Sequence, residues 1–125
     1  MRLALYNYLT ENCKSIPVWF QPYMATAEVR KPYGVIRFGS VIPQVNSIGS
    51  LRLVEVWPYV DDSNYLPLDD AVKEIRRLLS GKVLTTEAGK RFKVEWIGES
   101  DDFYDPDLEA LTRRIDFQVP LVGVL

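Results

Sequence analysis

The sequence has no histidine and a single cysteine, Cys13, in 125 residues. Without histidine, the Ser-His-Asp and Cys-His routes to an activated nucleophile are closed, as is every histidine-bearing zinc site. One thiol cannot close an intramolecular disulfide, so a stapled secreted scaffold is excluded and a reducing compartment is expected. Cys13 falls on the apolar stripe of a predicted helix, where it reads as a small buried hydrophobe rather than a nucleophile lacking its base. No apolar run approaches the roughly 20 residues that span a bilayer, and "MRLALYNYLTENCKS" lacks the apolar core and cleavage site of a signal peptide. A soluble, intracellularly made protein with no membrane partner is the expectation.

An excess of one charge is also missing. The charged fraction is 26% and the net charge −2, without the basic surplus of a nucleic-acid binder. The balance is uneven along the chain: residues 1–60 carry six Lys/Arg against three acids, the remainder nine against fourteen. Such asymmetry suits a protein that meets copies of itself or a partner. With 47% apolar residues, the length matches one globular domain over 1–125, with no internal repeat.

What is present alternates between helical and strand periodicity. Leu3, Tyr6, Leu9 and Cys13, widened by Leu5, predict an amphipathic N-terminal helix ending near Asn12 to Pro17. A short edge strand is expected around Val18 to Phe20, and "YGVIRFG" reads as a strand. "LRLVEVWPYV" has apolar residues on both alternation classes, which predicts burial on both faces, with Pro58 at its edge or end. "PLDDAVKEIRRLLSG" is a helix by its Leu68, Val72, Ile75, Leu79 face, its early Asp69 and Asp70, its late Arg76 and Arg77 and its Gly81 stop. The Asp69/Lys73 spacing reads as an exposed pair on that helix. "RFKVEWIG" and "RIDFQVPLV" alternate as half-buried strands of an antiparallel pair. The sum is an α+β domain: a mainly antiparallel or mixed sheet with an N-terminal and a central helix packed on it.

Two connections stand out. "SVIPQVNSIGS" is a loop with unusual apolar weight, Val45 and Ile48 included, and packs either on its own domain or on a neighbouring subunit. "ESDDFYDPDL" (99–108) joins the last two strands and concentrates Glu99, Asp101, Asp102, Asp105 and Asp107. Asp105, Asp107, Glu109 and Asp116 fit part of an EF-hand register, but Ala110 replaces the turn glycine and Arg113 and Arg114 bring two cations to the would-be ion. A Pro-Asp, acid-x-Lys nuclease fails because no lysine follows Lys93. A phosphate loop at Gly89-Lys90 fails because Leu84 and Arg91 replace the required glycine and hydroxyl residue. Loose, partly hydrated divalent binding by Asp101, Asp102, Asp105 and Asp107 stays open. The plainer alternative is a solvated connection in which Asp105 and Pro106 open a turn and Phe103 and Tyr104 need cover.

In order, the N-terminal helix, "KPYGVIRFG", "LRLVEVWPYV", "PLDDAVKEIRRLLSGKVL" and the final pair ending "RRIDFQVPLV" resemble the tail terminator or tail completion proteins of long-tailed bacteriophages. The likeness rests on element order and strand texture over nearly the whole chain. It implies a virion protein assembled in the host cytoplasm, without active site or cofactor, forming a homo-oligomeric ring, usually a hexamer, at the head-proximal end of the tail tube. There it stops tube polymerisation, meets the tube protein and the head connector or stopper, and lets DNA pass without tight binding. A head-to-tail ring gives both connections partners, with Val45, Ile48, Phe103 and Tyr104 at the contact, and the charge asymmetry suggests that Arg30, Lys31 and Arg37 face the acids Asp101, Asp102, Asp105 and Asp107 of a neighbour. The alternatives are a completion or connector protein of the adjacent layer, a small acidic metal-dependent enzyme, and a monomeric adaptor domain.

Overall fold

The computed structural model describes residues 1–21, 29–43 and 49–122. Helix α1 (Arg2–Asn12) buries Leu5 and Leu9, and the stripe continues through Cys13 and Ile16 beyond its end. Leu3, expected on that stripe, is exposed instead. The buried set follows an i, i+4, i+8 line through Leu5, from which Leu3 is rotated by about 200°. Tyr6 leans the other way and donates its hydroxyl to the Phe20 carbonyl at 2.8 Å, while Tyr8 donates to the Leu78 carbonyl at 2.8 Å.

Helix α2 (Leu66–Leu79) forms where periodicity places it, burying Leu68, Val72, Ile75 and Leu79. Asn64 accepts the Leu66 N–H at 2.9 Å ahead of the first turn, and Gly81 takes φ 75 just past the end. Glu74 joins the two helices: its Oε1 accepts the Ser15 N–H at 2.8 Å and the Cys13 thiol at 3.2 Å. Cys13 is buried as expected, and it is also a donor.

The strands are β1 (Trp19–Phe20), β2 (Tyr33–Pro43), β3 (Gly49–Asp61), β4 (Lys82–Thr85), β5 (Arg91–Glu99), β6 (Phe103–Asp105), β7 (Ala110–Thr112) and β8 (Ile115–Val122). They form one sheet in the order β1-β2-β3-β8-β5-β4, with β7 between β3 and β6. Pairing is antiparallel except for β1 on β2, so the fold is α+β as expected. Gly34 is required beneath β1, since a Cβ there would lie 2.3 Å from the Trp19 ring.

Two readings of the sequence are corrected. Residues 40–43 and 49–50 of the segment expected as a loop are strand: Val41, Ile42 and Pro43 pair with Arg52, Leu51 and Ser50, extending the β2–β3 ladder, while 44–48 lie outside the described residues. Pro58, expected at a strand's edge or end, lies inside the central strand β3. It is tolerated because β3 pairs with β8 as far as Val56 and with β7 from Tyr59, so its missing N–H falls in the break between those ladders. The Pro58 carbonyl is satisfied by the Thr112 hydroxyl at 2.8 Å.

The two helices cover one face of the sheet. Beneath them Ile36, Val54, Val56, Ile115, Phe117 and Val119 are almost wholly buried with Leu5, Leu9, Leu68 and Ile75. The other face has a smaller apolar group at one end, Tyr33, Val35, Tyr59 and Ala110.

Candidate functional site

The acidic connection is the middle and tip of one interrupted β-hairpin. Strand β5 pairs with β8 up to Glu99↔Ile115, and β6 pairs with β7 from Phe103↔Thr112. Across the interruption, Ser100 donates its N–H to the Arg114 carbonyl at 2.8 Å, and the Arg114 N–H donates to the Ser100 hydroxyl at 2.9 Å. The tip turns on Asp105, whose Oδ1 accepts the N–H groups of Asp107 at 3.0 Å and Leu108 at 3.1 Å, an Asx turn as the Asp105-Pro106 pair suggested. Glu109 then adopts φ 50 and Ala110 enters β7 fully buried.

Two carboxylates of this stretch, Asp102 and Glu99, face arginines. Arg113 donates to Asp102 at 2.5 Å and to Asp69, in the first turn of α2, at 2.9 Å. Its guanidinium is held further towards the charged form by the Asp102 hydrogen bond above all, with burial opposing and Asp69 reinforcing. Asp69 is therefore taken up by Arg113 and not by Lys73 of its own helix. Arg114 bonds Asp116 at 2.8 Å, and Glu99 lies 3.8 Å from Arg76, which stacks on Trp96 with its charge 4.0 Å from the ring centre. Asp101 and Asp107 are exposed, and among the described residues no group of three or more His, Cys, Asp or Glu is placed to hold a metal ion. A cleft of ≈ 470 Å³ runs along α2 beside Arg76, Arg113 and Glu99.

On the helix-free face an aromatic row leads away from the hairpin. Phe103 meets Trp57 edge-on at 5.6 Å, Trp57 stacks towards Tyr59 at 6.5 Å, Tyr59 on Tyr33 at 5.2 Å, and Phe20 meets Tyr33 edge-on at 5.7 Å. Phe103 thus packs on its own chain and yet, like Tyr104, stays exposed. Burial, reinforced by the Asp105 charge, pushes the Tyr59 phenol up to about 12 and raises Tyr33 as well. The Tyr33 hydroxyl is buried without a hydrogen-bond partner among the described residues. Next to the row runs a polar ladder: Arg37 faces Glu55, Glu55 faces Asp116, Trp57 donates to Glu55 at 3.1 Å, and Gln118 donates to Glu95 at 3.0 Å.

The expected basic set is split. Arg30 and Lys31 precede β2 at the sheet end that holds the acidic tip, where Lys31 adds to the lowering of the Asp61 carboxyl begun by the Ser63 N–H. Arg37 is exposed within β2, on the polar ladder. Val45 and Ile48 lie outside the described residues. The arginine clamp was missed from sequence, where "RR" at 113–114 counted only against calcium. Its signal was available: two arginines directly after a strand of acids across a hairpin are placed to pair with them.

No protein-family model matches the chain, and a search of curated proteins finds no significant match.

Proposed function

We propose that the protein is a structural assembly subunit that joins copies of itself head-to-tail into a ring, and that the ring is the terminator at the head-proximal end of a long-tailed phage's tail tube. The observation that carries this reading is the one-sided sheet. Two helices bury one face, while the opposite face keeps an ordered polar ladder at the surface beside an aromatic row whose middle, Tyr33 and Tyr59, is buried and whose end at Trp57 and Phe103 is open. Surface of this kind, ordered by its own hydrogen bonds yet left uncovered, suits contact with a partner. The resemblance in element order supplies the particular assembly: a ring that stops tube growth, receives the head connector and passes DNA without holding it.

Electron microscopy of the purified protein tests the reading, with rings around a central hole as the expected result. Added to polymerising tail tube protein, the rings should arrest growth and cap one end of each tube. A saturable magnesium, calcium or manganese site that Asp105→Asn abolishes would replace this reading with the metal-dependent one.

A further inference from the structure

Among the described residues, the two long borders of the sheet are open at different levels. On one side β1 covers β2 only at Gly34 and Val35. Gly34 donates its N–H to the Val18 carbonyl at 2.9 Å, and the Ile36 carbonyl accepts the Tyr6 hydroxyl at 3.3 Å. From Arg37 to Pro43 no strand among the described residues pairs with the outer side of β2. That stretch, "FGSVIP" after Arg37, holds no charge, and Val41 and Ile42 are 44% and 43% exposed.

On the other side β4 pairs with β5 only at Arg91 to Val94. Beyond it the outer sides of β5 and of β6, whose inner side pairs with β7, are likewise unpaired among the described residues, and there Phe103 and Tyr104 are 40% and 47% exposed. Unpaired strand edges are templates for another strand, and proteins normally blunt them with charge, shortness or cover. The outer edge of β4 is blunted in this way: it has four residues, begins at Lys82 and ends in the turn at Thr86 to Lys90.

We infer that the open edge of β2 at Arg37 to Pro43 takes up the β5–β6 edge at Glu99 to Asp105 of a second copy, so that the sheet continues from subunit to subunit. The inference rests on the ring reading above and assigns its contact surface. Charge selects this partner. Around the β2 edge stand Arg37, Arg52, which donates to the Gly39 carbonyl at 3.2 Å, and Arg2, over the Phe38 ring at 4.5 Å. Along the other edge stand Glu99, Asp101, Asp102 and Asp105, with Asp101 exposed. Apolar side chains stand along both edges as well, Val41 and Ile42 on one and Phe103 and Tyr104 on the other.

Direction agrees too. Strands β2, β3, β7 and β6 are antiparallel in succession, so a neighbour's β6 laid beside β2 in the same sheet sense is antiparallel to it. The levels differ: Phe103 shares a row with Tyr33 through Thr112 and Tyr59, whereas the open edge of β2 begins past Ile36. Joining therefore shifts each copy along the strands by about 20 Å. A repeated stagger tilts the strands and is the condition under which a sheet closes on itself.

Two single-cysteine additions test this, since buried Cys13 is shielded from reagent. Ser40→Cys and Asp101→Cys proteins, mixed at high concentration with a short bismaleimide, should give cross-linked dimers that neither variant gives alone. Arg37→Glu and Asp101→Arg should each weaken association about tenfold, and the chain carrying both, whose two edges again bear opposite charges, should recover part of it. Cross-linking of Ser40→Cys alone would show a symmetric β2–β2 contact and overturn the inference. So would a protein monomeric at its highest soluble concentration, whose β2 edge would then suit a strand of another protein. Rings without the mixed cross-link would sink the inference and leave the ring reading standing. Mixed cross-links with no capping of tail tubes would do the reverse.

Discussion

The two faces of the sheet are built from the same strands and meet different demands. Along β3, Val54, Val56 and Val60 point under the helices and are closed to solvent, while Leu53, Glu55 and Trp57, one position out of phase, remain partly open. The helix face is a packed core in which each methyl group removed leaves a void. The open face has one small buried group at Tyr33, Val35, Tyr59 and Ala110 and is otherwise held by side-chain pairs that water can replace. Stability is thus concentrated on one side, and the other side is free to carry charge, aromatics and partner contacts.

Substitutions can break this contrast, beginning with the largest effect. Phe117→Ala, beneath the helices and fully buried, should cost about 3–5 kcal/mol in urea unfolding. Should it cost less than about 1 kcal/mol, the helix face would not be the stabilising one. Gly34→Ala should cost about 1–3 kcal/mol, because its Cβ meets the Trp19 ring. Pairing it with Trp19→Leu should recover part of that loss, which a purely conformational effect would not allow.

Arg113→Met probes the clamp between α2 and the hairpin, and about 1 kcal/mol is expected because Asp69 and Asp102 remain partly solvated. Amide exchange should quicken in β6 and β7 while β3 stays protected.

The pH dependence follows from the Glu74 strut. Burial acts to raise its carboxyl, but the hydrogen bonds from Ser15 and Cys13 outweigh it and hold the group below its ordinary 4.5. Its contribution is present above that ordinary value and is lost as pH falls through the lowered native one. Glu74→Gln should flatten the acid limb of the stability profile. Cys13 has the opposite sign: burial first, then the Glu74 bond, push its thiol from 9.0 up to about 12. Its contribution is whole below pH 9 and fades as pH rises towards 12. Native protein at pH 8 should resist a thiol reagent that labels the unfolded chain. The smallest effect belongs to the open face, where Gln118→Ala should stay within about 0.5 kcal/mol. A larger loss would mean that the polar ladder supports the fold.

Much of the fold was legible in the residues. The face of α2 and the alternation of β5 and β8 stand where periodicity placed them, and the short strand at Trp19 stands where its flanking prolines favour extended backbone. The turn at Asp105-Pro106 was legible as well, because Asx chemistry acts over two or three residues. Strands β4, β6 and β7 were not, since segments of three or four residues are too short for a period to register. The split of Arg30 and Lys31 from Arg37 was hidden for a different reason: sequence proximity says little about which end of a sheet a residue reaches.

By itself the sequence determined the class of the molecule, because helical and strand periods, caps and turns are local properties and the lack of histidine is absolute. Only the tertiary structure decided what the acidic stretch faces. The stretch 99–107 became one side of a hairpin, with Asp102 held by the Arg113 guanidinium and Ser100 by the Arg114 N–H, and its outer edge is unpaired among the described residues. Which cation meets which carboxylate, and which strand lacks a neighbour, depends on pairing between residues far apart in the chain, and no local pattern encodes it.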